Sequence, residues 1–149
     1  MTFQGVHNNA IDAKGRASIP AKFREVLGEV YGDEQLMVTQ HKGGLVAYPM
    51  TEWQKILDNV NKMAPGPKRE AINLSLLTPA IACSFDKQGR IQISKPLREY
   101  AGLEEVREVV LVGSFNKIQL WNRGKHEEMM RAAEALISED PQTLYDLGF

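Results

Sequence analysis

The sequence predicts an α+β protein in which two copies of one unit interleave into a single closed β-barrel. Three observations predict it. First, Asp12-Ala13-Lys14-Gly15-Arg16 and Asp86-Lys87-Gln88-Gly89-Arg90 share one pattern and lie 74 positions apart in a chain of 149 residues. Second, residues 11–25 align without a gap on residues 85–99, with six identities in fifteen positions. A period of half the chain marks a duplication. Third, each half alternates short β-rich runs and turn glycines with helical apolar stripes.

The elements follow in order. Asp-x-x-Gly-Arg between two apolar runs is a hairpin tip. The Asp side chain accepts from backbone amides ahead of it, and Gly15 and Gly89 supply the positive φ of a three-residue loop with a bulge. The outgoing strands alternate through Ala17 and Ile19, and through Ile91 and Ile93. A short helix follows in each half, with Pro20 or Pro96 in its first turn and Gly28 or Gly102 expected at its C-cap. A second pair of strands comes next. In the first half it is Leu36–Thr39 and Leu45–Tyr48, joined through Gly43-Gly44; in the second, Val109–Val112 and Lys117–Trp121. Each half closes with a helix. Thr51-Glu52-Trp53-Gln54 reads as a capping box before a stripe of Trp53, Ile56, Leu57 and Val60. Asn122 reads as the cap of the matching helix, which carries Met129, Met130, Ala133, Leu136 and Ile137. Lys68–Leu77 reads as a connecting helix, and Asp140-Pro141 as the start of a last one.

Four short strands bury little apolar surface and leave open edges. Two units can cover each other's edges. The expected division is therefore 1–75 for the first repeat and 76–149 for the second, interleaved into one structural unit.

Composition excludes several classes. The chain has no 18-residue apolar run, and its first residues lack the basic and apolar regions of a signal peptide. The expected compartment is the cytosol, with no membrane partner. Cys83, the single cysteine, lies in an apolar strand and reads as a small buried hydrophobe. His7, His41 and His126 have no metal-ligand spacing. No metal and no cofactor are expected. No phosphate loop and no nucleophile–base pair supports an enzyme or a small-molecule substrate.

Net charge is only −1, but it is unevenly spread. Residues 1–24 carry Lys14, Arg16, Lys22 and Arg24 against Asp12, a sum of +3. Residues 127–149 sum to −5. The first hairpin and helix form a positive face on a neutral to acidic body. Few aromatics sit among the basic residues, which disfavours a single-strand stacking platform. Trp53 and Trp121 read as core or interface anchors.

The two Asp-x-x-x-Arg signatures, the run Ser18-Ile19-Pro20-Ala21-Lys22-Phe23-Arg24-Glu25 and the run from Arg98 to Leu103 resemble the MraZ family, bacterial regulators related to AbrB-type swapped-hairpin regulators. The resemblance covers essentially the whole chain. It implies a double-split β-barrel of two AbrB-like swapped-hairpin repeats with flanking helices, pseudo-two-fold within one chain. It implies ring-shaped homo-oligomers that bind double-stranded DNA upstream of the division and cell wall gene cluster, associated with the nucleoid. It maps the DNA-contacting surface to Asp12, Lys14 and Arg16, and to Asp86, Lys87 and Arg90. The second copy departs where Gln88 replaces Lys14, with Lys87 partly restoring the charge.

The residues themselves support two readings. Turn chemistry alone accounts for Asp12, Gly15, Asp86 and Gly89. Nothing in the turn requires Arg16 or Arg90, which either pair with the turn Asp or reach a polyanion. With Lys14, Lys22 and Arg24 nearby, phosphate or base contact is favoured for Arg16. Arg24 and Arg98 start short helices and are open to solvent exposure or pairing with Glu25 and Glu99. The rival function is an oligomeric structural or protein-interaction ring in which the arginines brace subunits.

Overall fold

The computed structural model describes residues 1–149. Its element order is β1 (Phe3–Ala10), β2 (Arg16–Ser18), α1 (Ala21–Tyr31), β3 (Gln35–His41), β4 (Gly44–Pro49), α2 (Met50–Asn61), α3 (Pro67–Ile72), a π-helical turn (Asn73–Leu77), β5 (Ile81–Ser84), β6 (Arg90–Gln92), α4 (Lys95–Ala101), β7 (Glu108–Phe115), β8 (Lys117–Trp121), α5 (Arg123–Ser138) and α6 (Pro141–Leu147). The protein is α+β with mostly antiparallel strands, as the periodicities predict.

The strands form one six-stranded sheet in the order β1-β7-β8-β4-β3-β5 and a separate ribbon of β2 with β6. The pairing crosses the halves of the chain. β1 lies antiparallel to β7, from Phe3 opposite Phe115 to Ala10 opposite Glu108. β5 lies antiparallel to β3, and Arg16–Ser18 of β2 faces Arg90–Gln92 of β6. The expected closed barrel is not formed. β1 and β5 stand at opposite ends of the sheet. Their outgoing arms leave the sheet at the two hairpin turns and pair with each other, so no hydrogen-bond ladder joins the edges.

One core serves both halves. A cluster of 21 buried residues includes Phe3, Phe23, Leu36 and Leu45 from the first half and Ile91, Leu97, Leu111 and Leu120 from the second. Phe3 packs edge-on against Phe23, with centroids 5.9 Å apart, and stacks on Tyr31 at 5.8 Å. Trp53, Trp121 and Cys83 are buried, as expected.

The helices differ from the sequence reading at their ends. α1 buries Phe23, Val26 and Leu27 on one stripe but runs past Gly28. Gly32, at φ +61°, supplies the left-handed cap instead. The extra turn carries Tyr31 onto Phe3. α4 does end at Gly102, at φ +71°. The capping box at the start of α2 is absent. β4 runs straight into the helix, so Thr51 falls inside the first turn and Pro49 is the N-cap. Asp33 Oδ2 accepts from the Met50 N–H at 2.7 Å in its place. Asn122 caps α5 by accepting from the Lys125 N–H at 3.3 Å, and Asp140 caps α6 by accepting from the Thr143 N–H at 3.2 Å. The connecting helix widens into the π turn, where buried Thr39 donates its hydroxyl to the Leu76 carbonyl at 2.6 Å. No helix is long and apolar enough to cross a membrane.

Candidate nucleic-acid interface

The two repeated turns have the same internal geometry. In the first, the Gly15 N–H donates to the Asp12 carbonyl at 3.0 Å, with Gly15 at φ +83°. Asp12 Oδ1 accepts from the backbone N–H of Lys14 at 3.0 Å and of Arg16 at 2.9 Å. In the second, Gly89 at φ +75° donates to Asp86 at 3.0 Å, and Asp86 Oδ1 accepts from Gln88 and Arg90, each at 2.9 Å. A residue with a Cβ would be strained at either glycine. The Asp holds two amides that the turn leaves without partners.

The second oxygen of each carboxylate holds the arginine. Arg16 Nε lies 2.6 Å from Asp12 Oδ2, and Arg90 Nε lies 2.8 Å from Asp86 Oδ2. Arg90 also reaches across, with Nη1 3.5 Å from Asp12 Oδ2. The Arg16 backbone N–H, first, and its guanidinium hold the Asp12 carboxyl below the usual carboxylate range, against a smaller opposing effect of desolvation. Asp86 is lowered by Arg90 in the same way. The intramolecular pairing that the sequence left open for Arg16 and Arg90 is therefore present. It does not use the whole guanidinium. Neither Nη of Arg16 has a partner in the chain, and the Arg16 side chain keeps 34% of its surface exposed, against 23% for Arg90.

The antiparallel ribbon of β2 and β6 places the two turns at its opposite ends, each against the outgoing end of the other half's strand. The Ile93 N–H donates to the Gly15 carbonyl at 2.9 Å, and the Ile19 N–H to the Gly89 carbonyl at 3.1 Å. Lys14 and Lys87, within the turns, and Lys22, in the first turn of α1, are exposed and lie outside every ion pair of the chain. Lys14, Arg16, Lys87 and Arg90 outnumber Asp12 and Asp86 by two charges.

Two arginines occupy positions that sequence reasoning did not assign. Arg24 and Arg98 pair with neither Glu25 nor Glu99. Each lies over the turn glycine of the opposite half. A Cβ at Gly89 would stand 2.6 Å from Arg24 Cζ, and one at Gly15 would stand 1.5 Å from Arg98 Nη1. Arg98 donates to the Lys14 carbonyl at 2.8 Å and the Ile93 carbonyl at 3.1 Å, and pairs with Glu104 at 3.3 Å. Arg24 donates to the Ile19 carbonyl at 3.3 Å. The only signal for these roles was that Arg24 and Arg98 are identical residues at the 74-residue offset.

A doubled Asp-x-x-x-Arg hairpin, crossed between halves and carrying free lysines, defines a duplicated protein that presents two basic turns. The profile of the family described as "MraZ protein, putative antitoxin-like" matches residues 2–72 and 76–147. The chain is 58% identical over the full length of both proteins to "Transcriptional regulator MraZ" of Syntrophotalea carbinolica. It is 34% identical to the protein of that name from Geobacter sulfurreducens and 35% identical to that from Pediococcus pentosaceus, each over 98% of this chain and 99% of the relative. This chain belongs to the MraZ family.

Proposed function

We propose that this chain is a DNA-binding transcriptional regulator and not an enzyme, acting on the promoter of the bacterial division and cell wall gene cluster. Its relatives' names support the regulatory role. The observation that carries the DNA reading is the pair of turns crossed between the halves, with Lys14, Lys22 and Lys87 exposed and outside every ion pair. Asp12, Lys14, Arg16, Lys22 and Arg24 form the contact surface of the first repeat (residues 1–75), and Asp86, Lys87 and Arg90 that of the second (residues 76–149). The crossed arms correspond to the swapped hairpins of AbrB-type regulators.

The Asp–Arg pairs fit this reading. A carboxylate that holds Arg Nε fixes the plane of the guanidinium and leaves its Nη edge for a guanine O6 and N7. The lysines then act as point charges on phosphates. One tip offers few contacts. A homo-oligomeric ring would present several to short direct repeats and gain affinity through effective concentration. Exposed Leu136, Ile137, Tyr145 and Leu147 on α5 and α6 support self-association. The nucleoid within the cytoplasm is the corresponding location.

The test is a gel shift at fixed salt, with a duplex carrying direct repeats and the Arg16→Ala variant. Loss of the shifted band supports the role of Arg16, and wild-type affinity in the variant removes it. The second reading, a structural ring that does not bind DNA, is favoured by the arginines' pairing with their own aspartates. A large species on a sizing column that passes unretained through DNA-cellulose at low salt would establish it.

A further inference from the structure

The two turns are alike inside but are held unequally from outside. The Lys14 carbonyl, at the tip of the first turn, accepts from two side chains of the other half: Gln92 through Nε2 and Arg98 through Nη1, the latter at 2.8 Å. Asp12 also faces Arg90 Nη1. The matching Gln88 carbonyl of the second turn accepts from no side chain. The difference is written in the sequence at the 74-residue offset. Ser18 stands where the second half has Gln92 and is too short to span. Val30 stands where it has Glu104, so Arg24 lacks the carboxylate that steadies Arg98. Arg98 is correspondingly sequestered, with only 12% of its side chain exposed.

We infer that the halves are specialised: the second half braces the hairpin of the first, and Arg98 is the positioning residue that fixes Lys14 and Arg16 for reading DNA. This rests on the proposed reading that the hairpin tips bind duplex DNA. Arg98 touches no nucleic acid in this account. A turn pinned at its carbonyls before binding loses less freedom on binding, so its contacts yield more net affinity. Gly15 is part of the same device, because any side chain there would displace the Arg98 guanidinium.

The experiment uses the full chain and compares Arg98→Met, which keeps an apolar stem but no donor, with Arg24→Met. The first readout needs no DNA: amide hydrogen exchange over residues 13–16 and 87–90. The first turn is expected to exchange more slowly than the second in the wild type. Arg98→Met should speed exchange of the first turn about tenfold, the loss expected for one or two net hydrogen bonds. Arg24→Met should change the second turn less than about threefold. The second readout is affinity for a duplex carrying direct repeats, expected to fall about tenfold in Arg98→Met and to recover partly in Arg98→Lys. Should Arg98→Met fail to fold, Gln92→Ala at an exposed position removes one of the two donors and should give an intermediate effect on both readouts. Turns that exchange equally in the wild type, or an Arg24→Met effect on exchange of the second turn as large as that of Arg98→Met on the first, would overturn the inference. A fall in melting temperature without faster exchange at residues 13–16 would reduce Arg98 to a structural residue. Unequal exchange in a wild type that ignores DNA would sink the DNA reading and leave the brace; DNA affinity with equal exchange would do the reverse.

Discussion

Substituting Gly113 by alanine tests the crossing of the two halves. Gly113 of β7 lies opposite Gly5 of β1. A methyl group at Gly113 would stand 2.4 Å from Gln4 N and 2.6 Å from the Phe3 carbonyl carbon. The backbone of β1 would have to retreat by about 1 Å, the gap between 2.4 Å and the 3.4 Å at which ordinary contact begins. Such overpacking costs about 1–3 kcal/mol. The retreat also draws Phe3 off Phe23 and Tyr31. Losing half of what a buried phenylalanine contributes adds about 2 kcal/mol. The total, about 4 kcal/mol, corresponds to a melting temperature lower by roughly 8–16 °C in a chain of this size. Gly28→Ala is the internal control. Gly28 lies inside α1 with nothing within 4 Å of the added methyl. It should stabilise by about 0.5–1 kcal/mol and raise the melting temperature by about 2 °C. Both are read by circular-dichroism melts at one protein concentration, since self-association shifts apparent stability. A Gly113→Ala melt within about 2 °C of wild type would refute the close approach of β1 and β7.

Three further outcomes are expected. Thr39→Val removes the hydroxyl that holds the π turn and strands the Leu76 carbonyl; it should cost about 1–3 kcal/mol and speed proteolysis within residues 66–79, and unchanged cleavage there would contradict the anchoring. The Asp12 and Asp86 carboxyls, held low by the backbone and guanidinium of Arg16 and Arg90, should titrate below the ordinary value of about 3.9 when followed by carboxyl carbon chemical shift. Because their folded values are depressed, the stability they contribute is complete above the unfolded value and is lost as pH falls through the folded one, and a midpoint at or above the ordinary value contradicts the turn geometry. Burial pushes the Cys83 thiol up to about 11, so a disulfide reagent at pH 8 should label it only in denaturant, and rapid labelling of the native chain would place it outside the core.

Much of the fold was legible because it depends on local chemistry. The hairpin turns follow from Asp12 and Gly15 and their copies, and β3, β4, β7 and β8 follow from apolar alternation between turn glycines. Helix ends were less legible. Gly28 reads as the cap from sequence, but the helix runs on to Gly32, which lets Tyr31 reach Phe3, a tertiary contact. Thr51 resembled a cap until β4 proved to run directly into α2. The open sheet was not legible, because the duplication shows that edges are covered but not which strands cover them. At the site, the residue types of the turns were readable, and so was the choice between an internal ion pair and outward contact for Arg16. The structure shows that a guanidinium can make the pair through Nε and keep its Nη edge free. The roles of Arg98 and Gln92 were hidden because they act on a turn 84 and 78 residues away.

The most direct measurement is the footprint of duplex DNA on the lysines, read by mass spectrometry after brief acetylation of the full chain with and without a duplex carrying direct repeats. The account predicts protection of Lys14, Lys22 and Lys87, with Lys55, Lys62 and Lys68 modified as in the free protein. Lys14 and Lys87 left fully reactive in the complex, with protection moved to α2, would contradict it.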